Sequence, residues 1–112
     1  MAKYERSLTG DFYQILHLCE GAIMKSASAS FEDGSDYEHG GIRVAVRVYE
    51  RYSMFGKNRV SLNLTLMGCG GKLFLSAITS GGSQAVFFKI NTIGEESFLK
   101  TLSADIEAYL MK

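Results

Sequence analysis

Proline is missing from all 112 residues, where average usage near 5% would supply about five or six. A proline-rich linker is therefore excluded, and the turns fall to the 12 glycines. Cysteine occurs only at Cys19 and Cys69, too few for a disulfide scaffold, and both are expected to be packing or incidental residues rather than a bridge. No run of about 18 apolar residues exists, which excludes a helical membrane span. The opening residues MAKYERSLTGDF carry Lys3, Glu5 and Arg6 with no apolar stretch behind them, so no secretion signal is expected and the cytoplasm is the expected compartment. Charge of one sign is lacking too: 12 basic and 12 acidic side chains cancel, which argues against general coating of nucleic acid.

What is present is apolar surface. Hydrophobic residues make up 46% of the chain and aromatics 12%, enough for one core at a length typical of one domain, read as residues 1–112. From Thr9 to Met24, Phe12, Ile15, Leu16, Cys19, Ala22 and Ile23 recur at helical spacing, with Thr9 or Asp11 as the N-cap. Alternation from Ser26 to Glu32 predicts a strand. The polar stretch Asp33 to Gly41 then predicts an exposed loop. A second strand sets Ile42, Val44, Val46 and Val48 against Arg43, Ala45, Arg47, Tyr49 and Arg51, and a turn follows over Met54 to Asn58. Val60 to Leu66 repeats the alternation, Gly68 to Gly71 and Ser80 to Ser83 predict turns, and strands are expected at Lys72 to Thr79 and Ala85 to Thr92. A helix beginning at Gly94 places Phe98, Leu102, Ile106 and Leu110 on one stripe.

The expected fold is α+β with two layers: a five-stranded antiparallel meander with N- and C-terminal helices on one face, in the order α-β-β-β-β-β-α. The valine series is expected under the helices. Arg43, Arg47, Tyr49, Arg51 and Lys89 are then expected on a polar open face. Charge by segment singles out the same region. Residues 1–38 hold three basic and seven acidic side chains, residues 39–94 seven and one, and residues 95–112 two and four, giving −4, +6 and −2.

Three uses of that basic face stay open: a solvated surface, a protein interface such as a homodimer, or a site for a small anion held by guanidinium groups beside the Tyr49 ring. Nucleic acid is not the expected partner, because only Tyr49 and Phe87 offer stacking surfaces there. The Ser80–Gln84 glycine segment lacks the Gly-Lys-Ser/Thr end of a phosphate loop and reads as a hairpin. Asp33, Asp36, Glu38 and His39 lack the ligand spacing of a calcium loop, and His17 finds a local partner three residues on in Glu20. No catalytic motif and no cofactor or metal signature is found.

The segments Leu8–Phe12 (LTGDF), Ser28–Tyr37 (SASFEDGSDY), Val46–Ser53 (VRVYERYS) and Phe74–Leu99 (FLSAITSGGSQAVFFKINTIGEESFL) resemble a family of small uncharacterised bacterial proteins of about this length. That resemblance implies no activity, cofactor or partner, and it transfers no site residue. The expected function is a binding or assembly module, homodimeric through the polar sheet face. The alternative is a small anionic-ligand binding protein or enzyme that uses the same residues.

Overall fold

The computed structural model describes residues 1–52, 59–81 and 88–112, the last from Phe88 to Ile93 as backbone only. The fold is α+β, with five antiparallel strands in one open sheet and two helices. The chain runs through β1 (Ala2–Thr9), α1 (Phe12–Met24), β2 (Ser30–His39), β3 (Ile42–Tyr52), β4 (Arg59–Cys69), β5 (Lys72–Gly81) and α2 (Phe88–Leu110). In space the strands lie in the order β1-β5-β4-β3-β2. The four strands from β2 to β5 form a meander, and β1 pairs with β5 through Tyr4 opposite Ala77 and Leu8 opposite Leu73. Helix α1 thus carries the chain from one edge strand to the other.

The strand order differs from expectation at both ends, for one reason. Residues 2–9 occupy the free edge of β5, so no strand is needed after it, and Phe88–Thr92 begin α2 instead of closing a fifth sequential strand. The alternation of Val86, Phe88 and Ile90 belongs to a short apolar run that fits either period. The proposed turn at Met54–Asn58 and residues 82–87 lie outside the described residues.

Two expected boundaries also move in the first half of the chain. Ser26–Ala29 is a turn, and Asp33–His39 is strand rather than loop. Gly40 and Gly41, with φ of 59° and 82°, make a two-residue hairpin that sets His39 opposite Ile42 and Glu38 opposite Arg43. Both left-handed positions suit glycine, which has no Cβ to clash. Gly70 and Gly71 repeat that geometry between β4 and β5.

The core lies on one side of the sheet. Asp11 caps α1 by accepting a hydrogen bond from the Gln14 N–H at 2.9 Å, and the helix buries its six expected apolar residues. They meet Val60, Leu62, Leu64 and Leu66 of β4, while Phe98, Leu102 and Ile106 of α2 cover Leu75 and Ala77 of β5. At about 1.5–3 kcal/mol for each fully buried large aliphatic side chain, this layer supplies the fold's main favourable term. Cys19 is buried within it and Cys69 is exposed, both as free thiols. Among the described residues no helix is long and apolar enough to cross a membrane.

Candidate functional site

The arginine series does not face outward. The register places Arg47 opposite Leu64, Ala45 opposite Leu66 and Tyr49 opposite Leu62, so the Arg43-Ala45-Arg47-Tyr49-Arg51 side of β3 is the side the helices cover. Tyr49 is only 2% exposed, its ring packed edge-on against Phe31 at 5.7 Å, and burial pushes its hydroxyl pKa up to about 12. Ile42 of the valine series is 44% exposed. The valines looked like the core stripe because they are the more apolar set. The buried side is instead chosen by the leucines of β4, which a fixed register aligns with Ala45 and Tyr49.

Each arginine is occupied from within. Arg47, with its side chain 13% exposed, donates from Nε to Glu20 at 3.0 Å and from Nη2 to Asp36 at 2.9 Å. Its Nη1 donates to the carbonyls of Val46 and Ser35. Burial opposes its charge, but the hydrogen bonds it donates to those two carboxylates raise its pKa above the ordinary value. Arg43 pairs with Glu38 and lies 5.1 Å above the Tyr13 ring. Arg51 donates to Ser26 Oγ and, at 3.1 Å, to the Gly94 carbonyl, with its guanidinium 4.7 Å from the Phe98 ring centroid. Burial lowers the Arg51 pKa.

Lys89 belongs to α2, not to a strand, and its side chain lies outside the described residues. The structure therefore brings Arg43, Arg47, Tyr49 and Arg51 to one strand face, as braces between sheet and helices. His17 Nδ1 lies 4.0 Å from Glu20. The oxygen donors of the acidic segment are split, since Asp33 and His39 project to one side of β2 while Asp36 and Glu38 project to the other.

The opposite face carries the feature that was missed. Its side chains fall on rows that cross the sheet through the register: Tyr37, Val44, Met67, Phe74 and Ser7 on one, and Asp33, Val48, Asn63, Ile78 and Lys3 on another. Met67 is 45% exposed and Phe74 37%, and no helix among the described residues lies over them. Ile42, Met67, Cys69, Lys72 and Phe74 also line a shallow, mostly apolar hollow of about 260 Å³. A cleft of about 310 Å³ at the hairpin ends holds Arg43 together with Asp11 and Glu38. The signal for the open face was in the sequence: Gly40-Gly41 and Gly70-Gly71 fix both hairpin registers and hence the rows.

Comparison with protein families decides the relationship. The model of a family of unknown function, DUF6054, matches residues 1–110. The chain belongs to DUF6054. Membership agrees with the resemblance drawn from the sequence and assigns no chemistry to the family's fold. No curated protein matches. Among solved structures, the crystal structure of TTHA0849 from Thermus thermophilus is 12% identical, with 96% of this chain and 97% of that one covered. Its TM-score of 0.31 is too low to carry an argument about this DUF6054 chain.

Proposed function

We propose that the protein is a cytoplasmic assembly module that forms a homodimer through the open face of its sheet. The observation that carries this reading is the row of Tyr37, Val44, Met67 and Phe74, which spans four strands opposite the helix-covered side and has no helix over it among the described residues. An antiparallel sheet that stays wet on one face normally alternates apolar and polar residues cleanly. Here β3 offers Ile42, Val44, Val46 and Val48 to the open side while its arginines turn inward. A contiguous exposed apolar patch of this kind marks an interaction surface.

Size favours a second copy as the occupant. Five strands about 4.8 Å apart and about 30 Å long present roughly 700 Å², close to the roughly 800 Å² that each partner contributes to a standard stable interface. The small-anion reading is the weaker one, because Arg43 shares its cleft with Asp11 and Glu38, two carboxylates against one guanidinium. Arg47 is already held by two carboxylates.

Light scattering on the eluting protein tests the reading. The wild type is expected at twice the 12.3 kDa chain mass, and Phe74→Asp at the chain mass with unchanged circular dichroism. A monomeric wild type, or a Phe74→Asp dimer, would sink it.

A further inference from the structure

Face-to-face packing of two identical sheets requires a two-fold axis in the plane between them. Aligned sheets keep their strand directions within about 30°, so the axis runs either nearly along the strands or nearly across them. When the two sheets overlap fully, so that the axis passes mid-strand, the side-chain rows distinguish the two. An axis across the strands at Thr65 would stack Glu5 on Glu5 of the second copy, Glu50 on Ile42 and Met67 on Asn63, as the register requires. Like charges facing each other and a carboxylate on an apolar side chain both oppose association.

An axis along β4 gives the opposite result. Strand β3 then lies over β5 of the second copy, and β2 over β1. Val44 meets Phe74 and Val48 meets Ile78, with Val46 on Ser76 between them and Ile42 on Lys72 at the hairpin end, and at the rim Asp33 meets Lys3. Residues of β4 meet their own counterparts: Met67 on Met67, Cys69 on Cys69, and Asn63 on Asn63, whose amide is both donor and acceptor. We infer that two copies associate about a two-fold axis running along β4, with apolar β3-on-β5 contacts inside and an Asp33–Lys3 pair at each rim. This inference rests on the homodimer reading and adds its geometry.

Cys69 supplies a native reporter on that axis. It is exposed, whereas Cys19 is fully buried with its thiol pKa pushed up to about 12 by burial, so a maleimide reaches Cys69 alone. A short bis-maleimide added to the full chain is expected to give a covalent dimer joined Cys69 to Cys69. The yield should vanish in Cys69→Ser and stay low when Ser7→Cys, at the sheet edge, is the only exposed thiol.

The charge pair gives an independent arm by sedimentation. Lys3→Asp and Asp33→Lys are each expected to weaken the dimer about fivefold, in line with the small worth of exposed pairs, and the double swap should restore it to within about twofold of wild type. A dimer with no Cys69 cross-link, with equal linking through Ser7→Cys, or without rescue by the double swap overturns the axis and leaves the homodimer standing. A monomeric wild type overturns both.

Discussion

Val46 and Arg47 are neighbours in the chain and opposites in surroundings. Val46 lies on a sheet face with no helix over it among the described residues, and Arg47 is braced beneath α1 by Glu20 and Asp36. The contrast extends from Ala45 to Arg51, where Arg47, Tyr49 and Arg51 turn toward the helices while Val46 and Val48 stay half-buried on the other side; Arg43, at the hairpin end, keeps 40% of its side chain exposed. Polarity by residue type therefore did not decide burial in this strand. An arginine can occupy the covered side at the sheet margin because its stem packs while its head finds carboxylates. The aliphatic residues on the other side have no such compensation, which is why a second copy is the expected cover.

Substitutions on the two faces should separate them. On the covered side, Leu64→Ala removes a fully buried side chain and is expected to cost about 2–5 kcal/mol in urea unfolding. Arg47→Ala leaves Glu20 and Asp36 without their shared partner, and the expected loss is about 2 kcal/mol, with hydrogen bonds to charged groups as the basis.

A pH series tests the enclosure of Tyr49. Its pKa is raised from 10.0 to about 12 in the folded state, so between those values the unfolded chain gives up the proton first. The unfolded state then binds fewer protons, and stability falls as pH rises through that window. Tyr49→Phe is expected to make the fall shallower; an identical slope in both proteins would place Tyr49 in water. The smaller effects come from the hairpin and from the open face. Gly70→Ala, at φ 57°, should cost roughly 1–2 kcal/mol. Val46→Thr should change the monomer's stability by less than about 0.5 kcal/mol.

Much of the fold was legible because helical and strand periods were clean where a single side is buried. Helix α1, strands β3, β4 and β5, and the apolar stripe of α2 all follow from spacing. Strand β2 was legible only over Ser30–Glu32; Asp33–His39 is exposed along its whole length, so DGSDYEH carries no apolar alternation. Strand β1 was hidden by Arg6 in its inward series, a residue that finds Glu107 at 3.2 Å on α2. Of the candidate residues, Arg43, Arg47, Tyr49 and Arg51 lie on the expected strand but on its helix-covered side, and Lys89 lies on α2. Register, set by glycine turns, holds that information, whereas composition along one strand does not.

The same register redirects the search for function. A charge at Tyr49, which the polar-face reading would place in an interface, instead enters the core. The decisive residues are those beside it on the opposite face.

Sedimentation equilibrium on the adjacent pair tests the central claim most directly. Val46→Asp, on the open side, is expected to weaken dimerisation at least about 100-fold, or about 2.7 kcal/mol, while Arg47→Ala leaves the dimer constant within about threefold. Retention of the dimer by Val46→Asp together with its loss in Arg47→Ala would contradict the assignment of the two faces.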